Sequence, residues 1–245
     1  MSHIFTLEFN FMLNGIEDIT IYPTILQDEK ELILVDCGYP FFLSKIEEEM
    51  KRINLSMNDL TKIIITHHDH DHMGSLKEIQ DKYPSIEILS SAEQVPYITG
   101  KKESLRLLQA KAMHKTLPED QKEGSQKFQD FIASIETVDK VTPLSYSDVL
   151  PWCGGIEIVD TKGHMPGHIS LYLPKEKTLI AGDALVVQNG HLFLAHPEYT
   201  LNVEDAVRSV ENLLNYDIEK IICYHGGEYS RDVKNSLRRI VESKK

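Results

Sequence analysis

The sequence predicts an α/β protein, on two observations. Short runs rich in Ile and Val alternate with stretches whose apolar residues recur at helical spacing. Three of those runs end in His or Asp: Ile65-Thr66-His67, Ala181-Gly182-Asp183 and Cys223-Tyr224-His225. Sheets of this class bind ligands beyond the carboxyl ends of their strands, so three such ends suit one shared site.

The elements are read in chain order. Residues 19–27 and 31–36 read as two strands around the polar turn Asp28-Glu29-Lys30. Phe42, Ile46, Met50 and Ile53 are spaced as the inner stripe of a helix. Residues 62–66 form a short buried strand. Leu76, Ile79 and Tyr83 mark a helix that stops before Pro84, and residues 86–90 form another strand. Residues 92–140 are charge-rich, with apolar residues at helical spacing (Leu105, Leu108, Ala112; Phe128, Phe131, Ile132, Ile135), and read as two or three helices. Strand texture returns at 156–160, 169–173, 178–183 and 220–225. Asn202, with Asp205 three residues on, suits a capping box for a helix carrying Val207, Val210 and Leu214. Val233, Leu237, Ile240 and Val241 form the stripe of a last helix.

The 245 residues suit one domain of 1–245 with a helical insert at about 92–140, since no linker-like segment divides them. Hydrophobic residues make up 41% and charged residues 26%, which excludes a disordered or collagenous chain. The net charge of −12 argues against non-specific nucleic-acid binding, which draws on Lys and Arg. No apolar run is long enough for a membrane span. The N-terminus has no secretory pattern, and the three cysteines form no CxxC; a reduced, cytoplasmic setting is expected.

Thr66-His67-His68-Asp69-His70-Asp71-His72-Met73-Gly74 is the strongest chemical signal. Six consecutive His and Asp residues come directly after the apolar Ile63-Ile64-Ile65 and Thr66, so the run is no ordinary solvated loop. Imidazole and carboxylate are the usual ligands of Zn, Fe and Mn. Gly163-His164-Met165-Pro166-Gly167-His168, Gly182-Asp183 and His225-Gly226-Gly227 are each weak alone. A lone turn histidine is more often structural than functional. His191, His196, Tyr199 and Thr200 suit the mouth of a site but also an ordinary surface. Tyr229 suits a substrate contact, and Cys223 suits a small buried hydrophobe. There is no GxSxG, Walker A loop or GxGxxG.

The four motifs, in this order and spacing, resemble the metallo-β-lactamase superfamily: an HxHxDH-like cluster, a GHTPGH-like loop, a GD strand end and a late strand-end His. Val35-Asp36-Cys37-Gly38 also looks like that family's early Asp-Gly turn. The resemblance spans about residues 20–230. It implies a four-layer αββα sandwich with a dinuclear site at the sheet edge. His67 and His164 would bind the first metal, and Asp71, His72 and His225 the second. Asp183 would bridge them, and Asp36 and His168 would orient ligands. Asp69 stands where the family usually has His. Thr66 and the Asp71-His72 pair hold a register that makes Asp69 the ligand; His68 or His70 moving into its place is the alternative.

The resemblance implies a metal-dependent hydrolase with a bridging hydroxide, two divalent ions and Asp71 as a ligand that also relays a proton. Zn is the first choice, with Mn or Fe as alternatives. A small acyl substrate (lactone, thioester or other ester) is expected, and no nucleic-acid or membrane partner. The insert would cap the site. Other readings are a phosphodiesterase, a diiron oxidoreductase and a non-catalytic metal-binding protein. With Asp69, Asp71 and Asp183 beside two divalent ions and one hydroxide, the formal charges cancel. A histidine at 69 would leave one positive charge, so Asp69 should weaken the ions as Lewis acids.

Overall fold

The computed structural model of the chain describes residues 2–13 and 17–243. Two six-stranded sheets form its centre. The first runs, in spatial order, His3–Thr6, Thr24–Gln27, Leu32–Val35, Lys62–Ile65, Glu87–Ser91 and Thr142–Leu144. The second runs Gly227–Tyr229, Lys220–Cys223, Thr178–Gly182, Ile169–Leu173, Ile156–Asp160 and Val149–Leu150.

Alternation along each strand sends neighbouring side chains to opposite faces, so a strand buried on both faces must be apolar throughout. Ile33, Val35, Ile64 and Leu89 face the second sheet and pack with Ile158, Ile169, Leu171, Ile180 and Ile222. On the outer face of the first sheet, Leu34, Ile63 and Ile65 pack against Ile46 and Met50 of helix Leu43–Arg52 and Leu76 and Ile79 of helix Leu76–Lys82. On the outer face of the second, Leu179, Ala181, Ile221 and Cys223 meet Val210 and Leu213 of helix Val203–Leu213 and Leu237, Ile240 and Val241 of helix Val233–Glu242. The result is the αββα sandwich that the resemblance implies.

Several boundaries differ from the sequence reading. The stretch 19–27 is two strands, Glu17–Ile21 and Thr24–Gln27, because the chain breaks at Tyr22-Pro23 and changes sheets. Phe9–Leu13 pairs with the first of them as a separate hairpin, and neither it nor His3–Thr6 carries a strong enough pattern to stand out. The capping box is half-made: the Asn202 side chain accepts from Asp205 N at 3.0 Å, but the Asp205 carboxylate bonds back to the Asn202 amide nitrogen Nδ2. The Asn202 backbone N–H goes to Gly163 O instead, which ties this helix to the histidine loop.

The insert holds helices Val95–Ile98, Leu105–His114 and Glu119–Ala133. The inner face of the second is not the one read from the sequence. Arg106, Leu107 and Ala110 are buried, whereas Leu108 is 45% exposed. The rotation puts an arginine, not a leucine, against the site. Among the described residues no helix is long and apolar enough to cross a membrane.

Candidate metal centre

The site gathers at the carboxyl ends of strands from both sheets. Thr66 follows the strand Lys62–Ile65 and anchors the His and Asp cluster beyond it. Its backbone N–H and hydroxyl each donate to the Asp36 carboxylate at 2.8 Å, and its oxygen lies 3.0 Å from His67 Nδ1. Asp36 itself sits in left-handed backbone at φ 60° and reaches His72 Nδ1 at 2.8 Å. Both imidazoles therefore have Nδ1 engaged and Nε2 aimed into the site, the arrangement that orients metal-ligating histidines. The short helix His70–Met73 turns Asp71 and His72 inward, and Tyr224 clamps it by donating to Asp71 O at 2.5 Å.

From the second sheet come His164, Asp183 and His225. Gly163 has φ 136°, and a Cβ there would lie 2.2 Å from Ala206 N, so only glycine lets the loop press this close to helix Val203–Leu213. His168 accepts the Asp183 N–H at 3.0 Å and is held by Thr161. Sheet-to-sheet bonds close the same end: Tyr22 N–H to Tyr224 O, and Ile169 N–H to Thr66 O.

Three overlapping clusters result, each with one ligand atom per residue within 4.8 Å of the others: His67, Asp69 and His164; His67, His72 and Asp183; and Asp71, His72 and His225. His67 Nε2, His72 Nε2 and Asp183 Oδ1 are buried without a hydrogen-bond partner among the described residues. Unpaired buried polar atoms are costly, and three converging on one point call for a cation. The spacing suits one. His67 Nε2 is 3.4 Å and His164 Nε2 3.1 Å from Asp69 Oδ2; His72 Nε2 is 3.4 Å from Asp183 Oδ1; His225 Nε2 is 3.2 Å from Asp71 Oδ2. A tetrahedron with bonds of about 2.0 Å has edges of about 3.3 Å. The donors therefore fit divalent metal ions.

Electrostatics divide the imidazoles. Burial, then the neighbouring His72, pushes His67 down to about 4. Burial also holds His168 well below the usual range. Burial alone would lower His72, but Asp183, Asp36 and Asp71 outweigh it and raise it well above its ordinary value. Burial would likewise lower His225, and Asp183 and Asp71 raise it instead. Burial would raise the Asp69 carboxyl; the Arg106 guanidinium, with His164 and His67, holds it well below the carboxylate range.

Every residue of the expected ligand set is thus brought together: His67, Asp69, Asp71, His72, His164, Asp183 and His225. The neighbouring histidines go elsewhere. His68 stacks on Tyr97 at 4.5 Å, contacts Gln94 through Nδ1 and accepts the Leu105 N–H through Nε2. His70 sits among Tyr39, Phe128 and Phe131. Tyr229 is not a substrate contact: its hydroxyl pairs with Ser236 inside the second sheet's outer core. His191 and His196 are exposed. Arg106, Gln94 and Tyr224 escape sequence reasoning. The one available signal is an arginine between two leucines in the insert, and it reads equally well as a solvated residue.

The fold and the site define an α/β sandwich protein whose converging His and Asp clusters could hold metal ions. The chain belongs to the metallo-beta-lactamase superfamily, whose family model matches residues 20–225. It is 26% identical over 220 residues to the probable metallo-hydrolase YflN of Bacillus subtilis, covering 79% of this chain and 75% of that protein. It is 27% identical over 187 residues to a hydroxyacylglutathione hydrolase of Bartonella henselae, covering 76% of this chain but only 54% of that protein. A metallo-beta-lactamase family protein of Thermus thermophilus superposes with a TM-score of 0.75 at 20% identity, covering 98% of this chain and 79% of that one.

Proposed function

We propose that this protein is a hydrolase that uses two divalent metal ions to cleave a small acyl compound, with thioesters ahead of lactones and other esters. The convergence of the three His and Asp clusters, with unpaired Nε2 atoms on His67 and His72, carries the reading. The similarity to hydroxyacylglutathione hydrolases, whose name denotes a thioester substrate, favours that class. His67, Asp69 and His164 would hold one ion, and Asp71, His72 and His225 the other, with Asp183 facing both.

Bound divalent ions supply Lewis acidity and a water activated near neutral pH. The chain's own residues do the rest. Asp36 and Thr66 fix the imidazole orientations, and His168 fixes Asp183. Asp71 presents Oδ1 toward His70 Nδ1, 4.0 Å away, while Oδ2 faces His225. With Oδ2 turned to the ligand side, Oδ1 is the Asp71 oxygen to which we assign the proton relay.

The experiment is hydrolysis of a panel of thioesters, lactones and phosphodiesters by protein loaded separately with Zn, Mn and Fe. Thioester cleavage lost on chelation and restored by metal is the expected result. Cleavage of phosphodiesters alone would replace this reading with a phosphodiesterase.

A further inference from the structure

The two halves of the metal centre differ in their counter-charges. Among the described residues, the side chains ion-paired with Asp71 and Asp183 are all histidines. Asp69 is instead gripped by a guanidinium. Arg106 is 4% exposed and is delivered by helix Leu105–His114. Its Nε lies 3.1 and 3.2 Å from the two Asp69 oxygens, and its Nη2 lies 2.5 Å from Oδ2.

The placement matters more than the pairing. Asp69 Oδ2 is the oxygen that faces His67 Nε2 and His164 Nε2. Arg106 Nη2 is also 3.2 Å from His164 Nε2. One nitrogen of the arginine therefore borders two of the three ligand atoms in the His67, Asp69 and His164 cluster. The group is anchored: Nη2 donates to Tyr199 O at 3.0 Å, Nη1 donates to Gln109 Oε1 at 2.6 Å, and Gln109 donates to Glu198 O at 2.9 Å. A fixed positive charge in a buried setting is poorly screened and repels a neighbouring cation strongly.

We propose that Arg106 is a built-in counter-ion of Asp69 that makes the two metal positions unequal. The ion held by Asp71, His72, His225 and Asp183 binds tightly. The ion held by His67, Asp69, His164 and the same Asp183 binds more weakly, because it shares Asp69 Oδ2 with a resident cation. The inference rests on the metal-centre reading above and goes beyond it, since motif residues alone give no reason for the positions to differ.

Zinc binding to metal-free protein, followed by competition with a chromophoric chelator, tests this without any substrate. The wild-type protein should show a tight and a weak class. Arg106→Gln should tighten the weak class by about 10-fold or more, the scale on which residues around the ligands move metal affinity, and leave the tight class unchanged. Arg106→Lys, which keeps the charge and loses the fork, should stay weak. Two wild-type ions of equal affinity would overturn the proposal even if neither variant folds. So would a weak class that Arg106→Gln leaves unaltered or loosens. Zero bound zinc would overturn the metal centre itself, a result separate from either of these.

Discussion

Asp36 and His72 lie on different elements of the first half-sandwich, yet their carboxylate and Nδ1 atoms meet at 2.8 Å in a fully buried contact. Asp36 reaches that position from left-handed backbone at the end of strand Leu32–Val35. The contact fixes which His72 nitrogen faces the metal centre. Asp183, Asp36 and Asp71 together raise His72 against the effect of burial, so the protonated imidazole is favoured until an ion displaces its proton.

Asp36→Asn keeps the shape and removes the charge. Metal affinity at the His72 position should fall about 10–100-fold, as it does when a ligand's outer partner is lost. Titration of metal-free variant and parent with zinc measures it. Equal affinity would mean that Asp36 supports the fold alone.

His67 and His68 are adjacent, both buried, and point to different tasks. His67→Ala removes a ligand, so the protein should lose one ion per chain. His68→Ala removes the acceptor for the Leu105 N–H and the face against Tyr97, so it should keep its metal. Faster amide exchange across Leu105–His114 should mark the loosened insert. Elemental analysis and hydrogen exchange on both variants decide; metal loss from the His68 variant would shift the ligand register by one.

The legible parts of the sequence are those that repeat or cluster. Apolar runs such as Ile63-Ile64-Ile65 announce strands buried on both faces, and the His and Asp run after Thr66 announces candidate ligands, four of which (His67, Asp69, Asp71 and His72) join the site. Arg106 is not legible. Helical periodicity in 105–114 admits two inner faces, and the choice between them is made by a long-range ion pair with Asp69 rather than by local pattern. Thr66 and Asp36 are readable as positions, but their bonds to His67 and His72 depend on a parallel pairing between strands roughly thirty residues apart. The break at Tyr22-Pro23 is visible as a proline but is easily lost within an otherwise apolar stretch.

Metal-free protein should be most stable near pH 6.5, roughly the ordinary histidine value. Below it, unfolded chains protonate His67, His68 and His168, which burial keeps neutral in the fold, so stability falls with pH. The depressed carboxyls of Asp69, Asp71 and Asp183 add to that loss below about pH 4, where the unfolded chain takes up their protons first. Above it, His72 and His225 are raised: their contribution is fully present below pH of about 6.5 and is lost as pH rises through their folded values. Metal ligation needs those two imidazoles neutral, so bound metal should abolish the alkaline decline. Melting temperatures from about pH 5 to about pH 9, a range that brackets the ordinary histidine value, check both signs when taken with chelator and with zinc. A chelated protein that gains stability above the maximum would contradict the assignment.

Asp69→His carries a different expectation from the one that ligand counting suggests. Ligand counting gives Asp69 the job of cancelling one positive charge. Arg106 already cancels Asp69, so the wild-type site carries the same formal charge as one with a histidine at 69 and no arginine. The single variant Asp69→His leaves Arg106 buried without its partner, which costs about 3–5 kcal/mol for a broken buried pair. It also removes a negative charge, which should move the acidic limb of the pH–rate profile to lower pH. The double variant Asp69→His with Arg106→Gln removes both charges together. Its acidic limb should coincide with that of the wild type, and its melting temperature should exceed that of the single variant. Profiles of kcat/KM against pH with the same metal loaded, and melting curves of all three proteins, are the measurement. If the double variant's limb follows the single variant's to lower pH, Arg106 does not offset Asp69 at the reacting centre.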